Sequence, residues 1–278
     1  MASRLRYLYR YMIRNSHKMR THKGALERGL DILFLLGSGE RALDVGTIAD
    51  RLRVPKSTVY RILRALRSRG LVILAHGNEG YRLGLVFLQW ANAVQKGLDI
   101  VQLAGPVLRR LAQETGETVQ LMLRDGTRAV TVDVAESPAP VRVAPERGRA
   151  LPLHCGAASK AILAYLPDAE WREVLGQGPL AALTRKTLRD VRRLRADLLA
   201  TRARGYALSE EEVYEGAKGV AAPIFDEHGT VSGSLAISGL VHRLRDDRLR
   251  QAVSLVQREA ALLSKALGFE DHRSRRRA

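Results

Sequence analysis

The stretch that most constrains the fold runs from Asp44 to Arg69 and reads DVGTIADRLRVPKSTVYRILRALRSR. Its apolar residues follow helical spacing in two blocks, which Val54 and Pro55 separate. The first block contains Ile48, Ala49 and Leu52, and the second contains Val59, Ile62, Leu63 and Leu66. This pattern predicts two short helices that are joined by a tight turn.

Local signals predict where these helices begin and end. Asp44 suits the N-cap of the first helix, because its carboxylate can accept a hydrogen bond from a backbone N–H two or three residues later. Pro55 suits the first position of the second helix, where its missing N–H costs nothing. Gly70 is expected to stop this helix as its C′ residue.

The face of the second helix opposite its apolar stripe is polar and basic. At about 100° per residue it carries Ser57, Tyr60, Arg61 and Arg64, with Lys56 at its N-terminal end. Cations, hydroxyls and a planar phenol on the outer side of such a helix are what a reader of the DNA major groove requires. An ordinary helix with a solvated basic face is the alternative, but the preceding helix, the turn and the hairpin that follows favour DNA binding.

A β-hairpin is predicted directly after the second helix. Residues 71–74 form an apolar run, residues 76–80 form a turn-rich tip, and residues 81–83 return. A two-stranded wing beside a recognition helix completes a winged helix-turn-helix, with its tip near the sugar-phosphate backbone or the minor groove. The predicted DNA-contacting residues are Thr47, Lys56, Ser57, Thr58, Tyr60, Arg61, Arg64, Asn78 and Arg82.

Positive charge is concentrated toward the N-terminus. The 278 residues carry a formal net charge of +17, and residues 1–90 hold 17 Lys and Arg against 6 Asp and Glu. This asymmetry indicates a polyanionic partner for the N-terminal part. The length allows two domains, each with its own core.

The ends of the chain are also basic. Residues 1–23 contain seven Lys and Arg and no acid, and we expect a mostly disordered arm that touches phosphates. Translation that begins at Met19 and an organelle-targeting peptide are the alternatives for this segment. Residues 269–278 are expected to form a frayed basic tail.

Helices are predicted on either side of the helix pair and its wing. The first covers residues 25–36, and the residues expected to pack on the helix pair are Leu26, Leu30, Leu33 and Phe34. The second covers residues 85–98, and the residues left exposed unless something covers them are Leu85, Leu88 and Trp90. A linker helix that pairs between two subunits would cover them.

The rest of the chain alternates helices with antiparallel hairpins. Helices are predicted at residues 100–115, 153–166, 171–175, 190–204 and 246–267. Strands are predicted at residues 119–123, 129–134, 141–143, 219–225 and 231–238. Because there is no regular βαβ repeat, the pattern indicates an α+β domain of the sensor type.

Reactive and metal-binding sites are not indicated. His154 and Cys155 could form a nucleophile pair, but neighbours at a helix start point in different directions, and a lone Cys is usually a small core residue. The run Glu210–Glu212 could hold a hard cation, although solvated or salt-bridged surface is the better interpretation. We therefore predict no catalytic residue, no metal and no cofactor. An enzyme fused to a DNA-binding head would need a reactive cluster within residues 100–268.

Cysteine content and hydropathy indicate the cellular compartment in which the protein is found. Cys155 is the only cysteine, so an intramolecular disulfide and a thiolate zinc site are excluded. No apolar run approaches the ~18 residues that a membrane span needs, and no signal-peptide core follows the basic start. We expect a cytoplasmic protein without membrane contact.

A series of motifs runs through residues 25–268 in a specific order. They are ALERGLDIL, VPKSTVYRILRALRSRGLV, YRLGLVFL, LPLHCGAASKAILAYLP, LTRKT, GYALSEEE, GVAAPIFDEHG and LAISG. Any one would be weak evidence, but in order and spacing the set resembles the IclR family of bacterial transcriptional regulators. The resemblance implies an α+β architecture with a winged helix-turn-helix at residues 24–84, a linker helix at 85–99 and a GAF/PAS-like effector-binding and oligomerisation domain at 100–268.

The resemblance also implies function. Such proteins bind pseudo-palindromic operator DNA as homodimers, often as homotetramers, and they regulate catabolic operons in response to a small organic or aromatic acid. Carried over by position, the expected effector-binding residues are Val143, Leu151, Ala157, Ala158, Ser209, Gly219, Ala236 and Ser238. The helix that starts near Ala157 would add free backbone N–H groups and a partial positive charge, which favour a carboxylate.

Departures from the family pattern sharpen these expectations. Ser209, Gly219 and Ala236 stand where many relatives have Asp, Cys and Ser, so we expect a bulkier and more apolar effector than a two-carbon acid. Arg53 stands where Gly is usual in the turn between the two helices. A positive φ there would cost on the order of 1 kcal/mol, and a slightly different turn is the alternative.

Overall fold

The computed structural model describes residues 24–38, 42–75, 80–176 and 178–270. The predicted arm at residues 1–23, residues 271–278 of the predicted tail and the wing residue Asn78 lie outside these ranges. The chain divides into two compact units between Val94 and Gln95. Across the described ranges, no helix is both long and apolar enough to cross a membrane.

The first unit is built from a helix pair, a further helix and a two-stranded sheet. The helices are α1 (Ala25–Leu36), α2 (Val45–Leu52) and α3 (Lys56–Arg67), and the strands are β1 (Val72–Leu74) and β2 (Tyr81–Leu83). The two strands pair antiparallel, with Ile73 opposite Arg82. Helix α4 (Val86–Lys96) follows and contains the division between the units. The predicted winged helix-turn-helix is confirmed.

Capping explains the boundaries of α2 and α3. The Asp44 carboxylate accepts a hydrogen bond from the Thr47 N–H at 3.0 Å, which confirms the predicted N-cap. Gly70 has φ of 70°, and its N–H donates to the carbonyl oxygen of Arg67 at 3.0 Å, as a C′ glycine should. The prediction for Pro55 was wrong by one position, because its extended backbone makes it the N-cap and α3 begins at the next residue.

The turn between α2 and α3 contains a residue in a left-handed conformation. Arg53 has φ of 55° and ψ of 46° at the C-cap of α2. Arg53 therefore has the positive φ that was the first of the two alternatives for this turn. A residue with a Cβ in this conformation lowers the free energy of unfolding by on the order of 1 kcal/mol.

The buried face of α1 differs from the predicted one. Leu26 is 76% exposed and Phe34 is 57% exposed, and Leu30 is also exposed, so only Leu33 of the predicted set packs against the core. The helix approaches α3 at Gly29, where an added Cβ would lie 3.7 Å from Cγ2 of Ile62. An added Cβ would therefore make an ordinary van der Waals contact with α3. The buried residues of α1 are accordingly Gly29, Ile32, Leu35 and Leu36.

The second unit consists of a six-stranded antiparallel sheet covered by helices on both faces. Its elements are α5 (Asp99–Thr115), β3 (Thr118–Asp125), β4 (Arg128–Ala135), β5 (Ala150–Pro152), α6 (Gly156–Tyr165), α7 (Asp168–Gly176), α8 (Val191–Arg204), β6 (Ala207–Glu210), β7 (Ala217–Phe225), β8 (Val231–Leu240) and α9 (Asp246–Ala266). The strand order is β5-β4-β3-β8-β7-β6. Helices α5 and α9 share one apolar cluster with the sheet, and α6, α7 and α8 share the other. The α+β class is confirmed.

Three sequence predictions for this unit were wrong. Residues 141–143 form no strand, since Val141 is exposed and the Val143 carbonyl instead accepts a hydrogen bond from the Thr118 hydroxyl at 2.7 Å. Strands β5 and β6, which form the edges of the sheet, were not predicted at all. Helix α6 begins at Gly156 rather than at residue 153, because the three preceding residues form a turn.

A buried ion triad joins α6, α8 and the segment between β6 and β7. The ammonium of Lys160, which is 1% exposed, lies 2.6 Å from Oε1 of Glu212 and 2.7 Å from Oδ2 of Asp197. The second oxygen of Glu212 accepts the N–H of Gly156 at 3.1 Å. Burial raises the pKa of Glu212, and the ammonium opposes this shift. Because both oxygens accept hydrogen bonds, Glu212 is a carboxylate.

We expect Lys160→Met to lower the free energy of unfolding by about 3–5 kcal/mol, because the buried carboxylate of Glu212 would lose its counter-ion. The double variant Lys160→Met/Glu212→Gln should recover part of this loss, since the amide is neutral and its oxygen can still accept the Gly156 N–H. Urea denaturation followed by circular dichroism measures both changes.

The matched control is Lys186→Met, which removes an exposed ammonium that pairs with Glu211 at the surface. The denaturation midpoint of this control should stay near that of the wild type. Equal midpoints for Lys160→Met and Lys186→Met would contradict a stabilising role for the triad.

Candidate functional site

The outer face of α3 presents the predicted DNA contacts to solvent. Val59, Ile62 and Leu63 are buried in the core of the first unit, which turns the opposite side of the helix outward. Among the described residues, the cations on this side form no ion pair with any carboxylate. The exposed residues of the face are Lys56, Ser57, Tyr60, Arg61 and Arg64.

The remaining predicted DNA contacts differ in accessibility. Arg82 is exposed on β2, on the wing. Thr47 and Thr58 are half-buried, and the Thr47 hydroxyl already donates to Oδ2 of Asp44 at 2.6 Å. This bond and the backbone bond from Thr47 hold the pKa of Asp44 below its ordinary value. Thr47 therefore has no hydroxyl hydrogen left for a phosphate, whereas Arg82 keeps its donors.

The second unit contains a cavity on the face of the sheet that α6 covers. The space between its walls is about 570 Å³ when the open solvent at its mouth is included. Its walls come from β3, β4, the segment from residue 143 to 151, the start of α6, the end of β6 and the strands β7 and β8.

Seven of the eight predicted effector contacts line this cavity. They are Val143, Leu151, Ala157, Ala158, Ser209, Gly219 and Ser238. Ala236 does not line it, so its placement on the polar side was wrong. On β8 this residue lies on the same side of the sheet as Ser238, but there it is 1% exposed and belongs to the apolar cluster that contains Ala157, Ala158 and Ala161. The methyl groups of α6 cover it.

The sequence prediction missed most of the polar wall. The additional polar or charged lining residues are Gln120, Thr131, Arg149, Ser159, Tyr214 and Lys218. Gln120 pairs with Ala236 across β3 and β8, and Met122 pairs with Thr131 across β3 and β4. The alternation of side chains along a strand predicts only which residues lie on the same face of the sheet. Which face carries a cavity depends on pairing between segments more than one hundred positions apart.

Positive charge at the cavity comes from Arg149 and Lys218. The Arg149 guanidinium hydrogen-bonds to the Tyr214 hydroxyl and lies 4.8 Å from the centre of the Tyr214 ring. It pairs with no carboxylate in the described part of the chain. Lys218 is 3.0 Å from Oε2 of Glu210, which offsets its charge. Arg149 is therefore the cation of the wall that is best suited to a carboxylate ligand.

The start of α6 is less available to an anion than the sequence indicated. Glu212 accepts the Gly156 N–H, so the first donor of the helix already has a carboxylate partner. Gly156 has φ of 82°, and an added Cβ would lie 2.7 Å from Cγ2 of Val213. The segment that carries Glu212 therefore packs tightly on the helix start, and only glycine fits there.

His154 and Cys155 do not form a nucleophile and base pair. Both side chains are buried and point to the carbonyl oxygen of Ala181, with Nε2 of His154 at 3.0 Å and Sγ of Cys155 at 3.9 Å. Because a carbonyl only accepts, Nε2 carries the imidazole proton. Burial lowers the pKa of His154 and, together with the charge of Glu212, raises the pKa of Cys155. The thiol stays protonated and unreactive.

The acidic run Glu210–Glu212 is divided among three ion pairs. Glu210 pairs with Lys218, Glu211 with Lys186, and Glu212 with Lys160. The salt-bridged interpretation fits the first two, but Glu212 is only 8% exposed and is not a surface residue. Over the described ranges, no group of three His, Cys, Asp or Glu side chains is arranged to hold a metal ion.

Comparison with known proteins agrees with this architecture. Two family models match the chain, "Bacterial transcriptional regulator IclR C-terminal" over residues 92–265 and "IclR helix-turn-helix domain" over residues 25–73. The chain is 34% identical over 248 residues to the HTH-type transcriptional repressor AllR of Escherichia coli (strain K12), which is 89% of this chain and 92% of AllR. It is 31% identical over 228 residues to the HTH-type transcriptional regulator KipR of Bacillus subtilis (strain 168), covering 82% and 91% of the two chains.

A solved structure agrees as well. The IclR transcriptional regulator from Alicyclobacillus acidocaldarius has a TM-score of 0.79 and 27% identity, covering 90% of this chain and 100% of that one. These relatives are named as regulators and repressors, so the protein is a transcriptional regulator and not an enzyme. Its helix-turn-helix domain implies DNA binding, and its C-terminal domain is of the effector-binding type. The chain belongs to the IclR family of bacterial transcriptional regulators.

Proposed function

We propose that the chain binds operator DNA with α3 in the major groove. The observation that carries this proposal is the outer face of α3, where Lys56, Arg61 and Arg64 are exposed and pair with no carboxylate in the described residues. Ser57 and Tyr60 add hydroxyls on the same face. Side chains of this kind contact base edges, while neighbouring cations contact phosphates and set the register. Thr58, Asn78 and Arg82 complete the proposed contact set, and Thr47 is left out of it because its hydroxyl donates to Asp44.

Arg61→Ala and Arg64→Ala are each expected to weaken operator binding by about 10–100-fold, since one specific contact contributes ~1–3 kcal/mol. Lys56→Ala should mainly reduce the slope of log affinity against log salt, by about 1. Fluorescence anisotropy with a duplex that the full chain selects from random sequences, titrated at several salt concentrations, measures both effects.

Arg192→Ala is the matched control, because it removes one exposed arginine from α8 in the second unit. Its operator affinity should equal that of the wild type, and none of the four variants should change effector affinity. Unchanged operator affinity of Arg61→Ala at moderate salt would show that α3 does not read DNA with this face.

We also propose a homodimer as the DNA-binding form, with two dimers able to join as a homotetramer. The support is a set of apolar side chains in the first unit that water reaches in the single chain. They are Leu26, Leu30 and Phe34 on α1, and Leu85, Leu88, Trp90 and Val94 at α4. Exposed apolar patches of this kind mark protein interfaces. A two-fold dimer would place two reading helices on the half-sites of a pseudo-palindromic operator.

Leu88→Glu is expected to shift the protein from dimer to monomer, because it places a charge within an apolar interface. Light scattering on the full chain over a range of concentrations gives the mass. Leu199→Glu on α8 is the matched control, since this leucine is 56% exposed against 69% for Leu88. The control should remain dimeric. If Leu88→Glu remains dimeric at the same concentrations as the wild type, α4 is not the interface.

The cavity is proposed to bind a small organic acid, including aromatic acids, as the effector. Arg149 supplies a cation, and Val143, Leu151 and Met122 supply apolar wall. Gly219 leaves room for ligand atoms, because an added Cβ would stand 3.5 Å from the Ser238 hydroxyl and 3.6 Å from the Ala157 methyl. Binding would shift the population of conformations that engage DNA. We propose a catabolic operon as the set of regulated genes. The protein would act in the bacterial cytoplasm.

Carboxylates should raise the thermal midpoint of the full chain more than their neutral amides do, because ligands that bind only the folded state stabilise it. The probes are benzoate, phenylacetate and butyrate, each beside its amide. Arg149→Gln should remove the preference for the acid, and Arg142→Gln, which breaks an exposed ion pair with Glu136, should keep it. Equal shifts with acids and amides in the wild type would contradict an acidic effector.

A further inference from the structure

A strongly basic stretch lies in the second unit, at the start of α8. Residues 91–278 hold 29 Lys and Arg against 23 Asp and Glu, whereas residues 185–195 alone hold six against one. Outside this stretch the positive and negative charges of residues 91–278 therefore nearly balance. All six cations of the stretch are exposed, and they are Arg185, Lys186, Arg189, Arg192, Arg193 and Arg195.

The five arginines of this stretch, which we call the arginine surface, form no ion pair with any carboxylate of the described residues. Lys186 pairs with Glu211. Asp190 is the only acid in the stretch, and its carboxylate caps α8 by accepting the backbone N–H of Arg193 at 2.8 Å. Most arginines elsewhere in the described part of the second unit do pair with a carboxylate. They are Arg110, Arg124, Arg142, Arg147, Arg202, Arg204, Arg243, Arg250 and Arg258.

The position of the arginine surface opposes the stability of the fold. Arg192 and Arg193 lie in the first turn of α8, which contains no acidic residue. Because the helix macrodipole is positive at the N-terminus, cations in this turn destabilise the helix. Arg189 adds repulsion between like charges just before it. Charges that oppose the local structure and have no partner within the chain indicate a partner outside it.

The loop before α8 is anchored rather than free. The buried hydroxyl of Thr187 donates to the carbonyl oxygen of Glu212 at 2.7 Å. It also accepts the backbone N–H groups of Leu183 at 3.0 Å and Thr184 at 2.9 Å. Leu194 is buried on the inner side of α8, so the arginines on either side of it face solvent. Cations on a fixed backbone lose less conformational entropy on binding than cations on a flexible tail.

We propose that the arginine surface binds the phosphates of duplex DNA outside the site that α3 reads. Guanidinium groups form charge-assisted, often bidentate hydrogen bonds with phosphate. An acidic protein fits less well, because protein interfaces use apolar anchors at their centre. Val191 is the only exposed apolar side chain within residues 185–195.

Such a contact would not depend on base sequence, since phosphates carry no base information. The proposal rests on the proposed operator binding by the first unit. It adds a second set of DNA contacts, supplied by the second unit, to those of α3 and the wing.

The test compares two duplexes by fluorescence anisotropy on the full chain. The short duplex carries only the selected site, and the long one extends it on each side by about 20 base pairs of unrelated sequence, roughly two helical turns. The wild type should bind the long duplex about tenfold more tightly at low salt, and its slope of log affinity against log salt should be steeper by about 2–3. The triple variant Arg189→Gln/Arg192→Gln/Arg193→Gln should lose both gains and keep wild-type affinity for the short duplex.

The matched control is Arg109→Gln/Arg172→Gln/Arg248→Gln, which removes the same charge from exposed arginines on α5, α7 and α9. This control should keep the gain from the added DNA. An equal loss in both triple variants would show an effect of net charge alone and would overturn the proposal. The thermal midpoint of the α8 variant should not fall, because cations are removed from the first turn of a helix.

The outcomes separate this proposal from the one on which it rests. If the wild type binds the short duplex and gains nothing from added DNA, or if the α8 variant keeps the gain, the arginine surface does not bind DNA and operator binding stands. If no duplex is bound, operator binding is wrong and the second contact falls with it. If added DNA gives no gain but the α8 variant alone loses binding to poly-glutamate, the surface serves an acidic protein and the DNA proposal is wrong.

Discussion

The ion triad of Lys160, Glu212 and Asp197 is the interaction on which the second unit depends. Its three charges come from α6, from the segment after β6 and from α8. Lys160 and Glu212 are buried, so each needs the other as a counter-ion, and α6 and the segment after β6 must come together for both charges to be satisfied. Glu212 also occupies the first N–H of α6. The carboxylate that pairs with Lys160 therefore also occupies the start of α6, whereas Arg149 pairs with no carboxylate in the described part of the chain.

The outer face of α3 and the cavity wall at Arg149 both keep their positive charge available, because no carboxylate of the described residues pairs with it. On α3, exposed cations stand on a helix whose opposite side is packed into the core, so they can face an extended polyanion. In the cavity, Arg149 is held by the Tyr214 ring and hydroxyl rather than by a carboxylate, so its charge remains available to a small anion. Lys218 shows the contrast, because Glu210 neutralises it.

The accuracy of the sequence predictions depended on the distance over which the deciding contacts act. The caps at Asp44 and Gly70 were correct because both are contacts within a few residues. The predicted inner face of α1 was wrong because apolar spacing gives two overlapping stripes, and packing against the rest of the unit decides which one is buried. The strand at residues 141–143 was wrong because β propensity does not supply a neighbour to pair with.

The sequence by itself determined the helix pair, its basic outer face, the wing and the family, since helical periodicity and short motifs are local properties. The tertiary structure decided the composition of the cavity. It added Arg149 and Ser159 to the wall and removed Ala236, which α6 covers. It also buried Glu212 against Lys160. These placements depend on strand register and helix packing between distant segments, such as Thr118 opposite Ser238, which local pattern does not encode.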